Sequence, residues 1–176
     1  MSLIYENKVP SSYRIPFIAK VKEIATKLGI NPNWLMAIMH WESAGTFSPS
    51  ITNSIGATGL IQFMPSTAIG LGTTTTALRN MTAVQQLDYV LKYYLPYKSK
   101  ITNYVDCYLV TFFPAAVGKD ENYIIQTSKL PASLIATQNP AFDINKDKKV
   151  TVGEIATVML RKLPTEWIKE FVKKKQ

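Results

Sequence analysis

One cysteine, one histidine and the lack of a long apolar run set the first bounds on this 176-residue chain. Cys107 stands alone, so an internal disulfide framework is excluded; between Val105 and Leu109 it reads as a small hydrophobe in a helix. His40, without other ligands at suitable spacing, cannot make a metal site and is read as a packing or surface residue. No stretch approaches the ~20 apolar residues needed to cross a bilayer. The opening, MSLIYENKVPSS, has neither a basic n-region nor an apolar h-region, so no signal peptide is expected. Acidic groups are outnumbered: 12 Asp and Glu against 20 Lys and Arg leave a net charge of +8. Much of the excess lies in Arg161-Lys162 and Lys173-Lys174-Lys175. A basic surface is drawn to anionic polymers, but no nucleic-acid motif accompanies it. A solvated face with a mobile tail is the plainer reading, and nucleic acid is not expected as a partner.

With 47% apolar and 18% charged residues, the chain has the composition of a globular protein. Its length suits one sizeable core, so residues 1–176 are expected to form a single domain. Apolar residues at Ile15, Phe17, Ile18, Val21, Ile24, Ala25 and Leu28, closed by Gly29, predict an amphipathic helix behind a polar lead-in. A second helix is predicted within 31–45, a third over 81–95 with Thr82 as N-cap, and a fourth over 101–113, broken at Pro114. In the third, Val84, Leu87, Val90, Leu91, Tyr94 and Leu95 make the buried face. Tyr89, Tyr93, Tyr94 and Tyr97 suit sugar stacking, although tyrosines packed at a helix periphery are the commoner case. Residues 46–56 read as a loop or short irregular sheet element, 70–76 as a flexible connector, and 119–133 as an irregular connection or short helix. Residues 152–163 and 164–176 form the last two predicted helices. The expected fold class is therefore mainly α, a helical domain with little or no β structure.

One residue in the second helix is out of place. Asn31 is the N-cap, Pro32 the first helical residue and Gly45 the stop. Trp34, Leu35, Ile38 and Met39 make an apolar stripe, and Glu42 continues it, lying seven after Leu35, four after Ile38 and three after Met39. Desolvation raises the pKa of a carboxyl at the mouth of an apolar pocket, so that it can hold a proton near neutral pH. A protonated carboxyl in a cleft is what protonates a leaving glycosidic oxygen. Downstream, Gly56 and Gly59 permit close backbone approach, and Gln62 offers both a donor and an acceptor.

At these residues the chain resembles the SLT-type lytic transglycosylases, lysozyme-like enzymes that cut bacterial peptidoglycan. Glu42-Ser43 resembles the family's Glu-Ser pair at a helix end. Gly59-Leu60-Ile61-Gln62 is similar to its Gly-Leu-Met-Gln motif, and Met-Pro-Ser-Thr-Ala follows at 64–68. The resemblance covers residues about 20 to 118. It departs from the pattern at a third motif, Ala-Tyr-Asn in the family, where this chain has Val110 to Gly118 with Phe113 in place of the tyrosine. Phe113 keeps the shape of such a pocket and makes it drier, but cannot orient a carboxyl. Tyr104 and Tyr108, in the preceding turns, are weak candidates for a substitute hydroxyl.

The resemblance implies a lysozyme-like helical domain that cleaves between N-acetylmuramic acid and N-acetylglucosamine. Glu42 would act as acid and then as base, giving 1,6-anhydro ends without a catalytic cofactor. It implies substrate contacts from Ser43, Gly59, Leu60, Gln62, Phe63 and Phe113, and action on the cell wall, periplasmic or extracellular. With no signal peptide visible, delivery in a phage virion or by lysis is expected, with other virion or tail proteins as candidate partners, and a monomer. Two rival expectations are a hydrolytic muramidase on the same fold and a catalytically dead cell-wall-binding or virion module.

A second pattern lies at 143–154. Asp143, Asn145, Asp147, Thr151 and Glu154 stand at positions one, three, five, nine and twelve of an EF-hand-like loop, Lys149 at seven and apolar Val150 at eight. Calcium is expected there in a structural role. Position six is Lys148, where glycine is usual, so a non-glycine must turn left-handed at about 1–2 kcal/mol. The competing account is that Thr151-x-x-Glu154 is a capping box opening the next helix. Pro140 rules out a regular entering helix, so a solitary loop with a C-terminal helical extension is expected.

Overall fold

A computed structural model describes residues 1–173. Lys174 and Lys175, two lysines of the basic tail, lie outside the described residues. The chain is mainly α, and among the described residues isolated antiparallel bridges stand in place of a sheet. It forms two compact units, Met1–Ser99 and Lys100–Gln176.

In the first unit, α1 (Arg14–Leu28) packs against α2 (Pro32–Glu42) and α5 (Ala83–Tyr94). Gly29 ends α1 at φ 65°, a left-handed conformation that costs a glycine little. Phe17, Ile18, Val21, Ile24, Ala25 and Leu28 are buried as the periodicity predicts, but Ile15 is exposed, because the helix turns its first residues outward. Asn31 caps α2 by accepting from the Asn33 N–H at 2.9 Å, with Pro32 following. Every residue from Asn33 to Met39 is buried, so α2 is a core helix enclosed on all sides. The lead-in also joins the core: Leu3, Ile4 and Val9 are buried, and the Ile4 N–H donates to Asn33 Oδ1 at 2.8 Å.

Two short helices, α3 (Pro65–Gly70) and α4 (Thr75–Asn80), take the two ends of the stretch 70–76 expected as a flexible connector and leave residues 71–74 between them. Thr74 caps α4 by accepting from the Ala77 N–H, which places Thr75 and Thr76 in a helix. Helix α5 opens with a reciprocal capping box between Thr82 and Gln85. Leu87, Val90 and Tyr94 are buried as expected, whereas Leu95 lies beyond the helix end and is exposed.

In the second unit, α6 (Tyr104–Phe112) is capped by Asn103 and packs against α8 (Val152–Arg161). Cys107 is fully buried in α6. Helices α7 (Ala132–Gln138) and α9 (Thr165–Phe171) complete it. Helix α7 ends before Pro140, as that proline requires. An antiparallel bridge joins Ile124 to Thr151.

Candidate active site

Glu42 is the last residue of α2 and is half-buried. The chain leaves it through three left-handed residues, Ala44 at φ 51°, Gly45 at 79° and Phe47 at 52°. Gln62, across the first unit's irregular loops, is a fourth at 56°. For a non-glycine this region costs about 1–2 kcal/mol, so Ala44, Phe47 and Gln62 hold stored strain, a feature that gathers at functional sites.

The side chain of Ser43 holds the first turn. Its hydroxyl donates to the Met39 carbonyl at 2.6 Å and accepts from the Phe47 N–H at 2.9 Å. Thr46 Oγ1 donates to the Ser43 carbonyl, and the Tyr13 hydroxyl to the Phe47 carbonyl. Burial pushes the Tyr13 phenol up in pKa, so it stays protonated and able to donate. The ring of His40 stacks on Tyr5 at 3.8 Å and stands 5.9 Å from Phe47. Burial, with a smaller push from Lys8, lowers its pKa and favours the neutral imidazole. His40 is thus a packing residue.

The glycine-rich motif closes a tight corner. Thr58 and Phe63 exchange both backbone hydrogen bonds, at 2.9 and 2.8 Å, and Thr58 also bridges Thr52. Of these bridge residues only Thr52 lies within 46–56, the stretch expected to be a loop or short irregular sheet element. Gly59 sits at φ 84°, and a Cβ built there would fall on the side-chain amide of Gln86. That amide is fully buried; its Oε1 accepts from the Leu60 N–H at 2.8 Å, and its Nε2 donates to the carbonyls of Pro49 and Leu78. The glycine at 59 is therefore required by a bracing glutamine from α5. The sequence reading missed Gln86, although it stands four residues before Val90 on the buried face, the same kind of signal that singled out Glu42.

The residues expected at the substrate divide into two groups. Ser43, Leu60 and Phe63 are sealed, at 0%, 0% and 2% exposure, and shape the site from behind. Gln62 remains half-exposed; its Nε2 donates to the carbonyls of Ile51 and Gly59, which leaves Oε1 as the side chain's acceptor. Tyr93, on α5, was grouped with three other tyrosines in the sequence, and packing separates it from them. Its pKa is pushed up to about 12, first by burial, then by Tyr97 and by the charge of Glu42. Its ring meets Phe63 edge-on at 6.2 Å. Tyr94 is core, with no exposed surface.

Phe113 belongs to the second unit, half-exposed, just past the end of α6. Tyr104 and Tyr108 are buried in that unit, their rings against Phe171 and Phe112.

The 143–154 loop carries the capping-box pattern predicted for it. Lys148 is left-handed at φ 64°, and so is Lys146 at 60°. Asp143 accepts from the N–H groups of Asp147 and Lys148, Asn145 from Asp147, and Asp147 from Lys149. Thr151 and Glu154 form a complete capping box on α8, and Glu154 Oε1 also accepts from the Ile144 N–H. The side-chain oxygens are thus turned onto the loop's own backbone. Among the described residues no group of three or more His, Cys, Asp or Glu side chains converges as a metal site.

Residues 20–89 match the family model of the transglycosylase SLT domain, a stretch wholly within the first unit that contains Glu42, Gln62 and Gln86. No curated protein and no solved structure matches the chain.

Proposed function

We propose, from the transglycosylase match over residues 20–89, that this chain is a peptidoglycan lytic transglycosylase acting on the bacterial cell wall, with Glu42 as its acid and base. The observation that carries the reading is a half-buried carboxylate on the last turn of a core helix, followed at once by a strained turn. Glu42 delivers its proton to the oxygen bridging N-acetylmuramic acid and N-acetylglucosamine as the C1–O bond breaks. Positive charge develops at C1 and the ring oxygen. The resulting carboxylate takes the proton from the C6 hydroxyl while that oxygen bonds to C1, closing a 1,6-anhydro ring. The nucleophile is part of the substrate, so its effective concentration is high and one carboxylate serves both steps. Gln62 Oε1 is the group we assign to an N–H or hydroxyl of the sugar.

The test compares wild type with Glu42→Gln on purified peptidoglycan, with released fragments weighed by mass spectrometry. The reading expects 1,6-anhydro fragments from wild type and none from the variant. Fragments one water heavier would make the protein a hydrolytic muramidase. Equal clearing by both proteins, or by neither, would remove catalysis by Glu42 altogether.

For the 143–154 loop we propose a structural calcium ion, held by Asp143, Asn145, Asp147 and Glu154 with the main-chain carbonyl of Lys149 and the side chain of Thr151. The order of oxygen donors and the left-handed Lys148 support it. No catalytic step passes through it.

A further inference from the structure

We propose that a cleft in the second unit binds the peptide of the wall polymer, holding it by a primary ammonium on an aliphatic side chain. The inference rests on the proposed function, since peptidoglycan is a glycan whose strands carry short peptides with a diamino acid. The cavity encloses about 440 Å³. That lies within the roughly 300–1,000 Å³ of small-ligand sites and far above the ~30 Å³ of one water. One wall is a face of α8, where Val152, Ala156 and Leu160 recur every four residues. At about 1.5 Å per residue the face runs about 12 Å, the length of roughly three to four residues of extended peptide. Ala156, the smallest of the three, gives the groove its depth. Val105 and Phe171, whose ring meets Tyr104 edge-on at 4.8 Å, add to the apolar lining.

The exposed residues Lys119, Asp120 and Glu121 form the rim at the start of α8. Backbone bonds hold them there: the Gly153 N–H donates to the Glu121 carbonyl at 2.9 Å, and the Val152 N–H to the Tyr123 carbonyl at 3.1 Å. A Cβ at 153 would stand 3.1 Å from that Glu121 oxygen, so glycine is what lets the rim approach the helix. On the other side of the rim, the buried Asp106 accepts from the Thr102 N–H and hydroxyl at 2.9 and 2.7 Å and from the Gly118 N–H at 3.0 Å. The cleft is therefore preformed, and neither fixture uses the rim's own carboxylates. Charge selects the ligand. In a chain of net charge +8, the rim carries two carboxylates and one lysine, and Lys119 lies over the ring of Tyr123 at 5.5 Å. Asp120 accepts from the Asn122 N–H at 2.9 Å. Among the described residues neither Asp120 nor Glu121 joins an ion pair. An acidic rim on an apolar groove fits an ammonium at the end of a methylene chain, because the chain buries its apolar surface while the head stays at the solvent edge. An anionic head would be repelled there.

The experiment titrates the full chain, isotopically labelled for NMR, with the sugar-free tetrapeptide L-Ala-γ-D-Glu-L-Lys-D-Ala and with its Nε-acetyl form. Saturable shifts are expected at the Gly153 and Ala156 amides, and acetylation should weaken binding about fivefold or more. The double variant Asp120→Asn, Glu121→Gln should lose the same factor for the free peptide and nothing for the acetylated one. Ala156→Met fills the groove and should weaken both. Because the rim carboxylates are exposed, the double variant decides the question even where Ala156→Met fails to fold. No saturable shift at these amides, or equal affinity for the two peptides, would overturn the site. Cleavage of peptidoglycan is measured alongside. If the wall is cut in a Glu42-dependent way and the peptide leaves Gly153 and Ala156 unmoved, the cleft proposal falls and the function stands. If the peptide binds as described and no wall fragment is released, the function falls and the cleft remains a peptide site.

Discussion

Replacing Gly59 by alanine should be among the most damaging single-methyl changes in the first unit, for a reason unrelated to substrate. Two costs combine. At φ 84° an alanine pays about 1–2 kcal/mol for the left-handed region. Its Cβ also displaces the Gln86 amide and with it the bonds to the Leu60 N–H and to the Pro49 and Leu78 carbonyls. At about 1 kcal/mol net for each bond, and more where a buried partner stays unsatisfied, the second cost is about 3 kcal/mol. The total, about 4–5 kcal/mol, is a large share of the 5–15 kcal/mol typical of a domain. In a Gln86→Ala background the methyl has room, and only the backbone cost of about 1–2 kcal/mol remains. Urea unfolding of the four proteins, followed by tryptophan fluorescence, should therefore give a coupling of about 3 kcal/mol between the two sites. Costs of Gly59→Ala that agree within about 0.5 kcal/mol in the two backgrounds would refute the brace.

Three further outcomes are expected. Ser43→Ala strands the buried Phe47 N–H and should cost about 1–3 kcal/mol, read as a lower melting temperature; an unchanged melting temperature would mean that Ser43 does not hold the turn. His40, whose pKa is depressed, contributes stability that is present above its ordinary value near 6.5 and lost as pH falls from there towards the lower folded value. Melting temperatures measured from pH 8 to 5 should drop more steeply for wild type than for His40→Phe, and parallel curves would exclude this linkage. Calcium should raise the melting temperature relative to chelator, with Asp143→Asn and Glu154→Gln each abolishing the difference; a wild type indifferent to calcium would leave the loop as a backbone-capped turn.

The long helices were legible because their signals are local. Asn31-Pro32, Gly29 and Thr82-x-x-Gln85 mark ends, and the apolar period marks faces. Glu42 was legible for the same reason, as a charge in phase with a buried stripe. Helices α3, α4 and α7, at six, six and seven residues, are too short to show a period. The brace behind Gly59 was not legible because the atom that forbids a side chain there comes from α5, through contacts no local pattern encodes. The same holds for Tyr93: four tyrosines share a short stretch, and only packing decides which one meets Phe63.

Ala44, Phe47 and Gln62 are corners held under tension by small clasps, among them one hydroxyl and one amide, and such clasps give way before a core helix does. If the acid works as proposed, gentle heating should switch the enzyme off several degrees below the temperature at which α2 melts, and cooling should restore it.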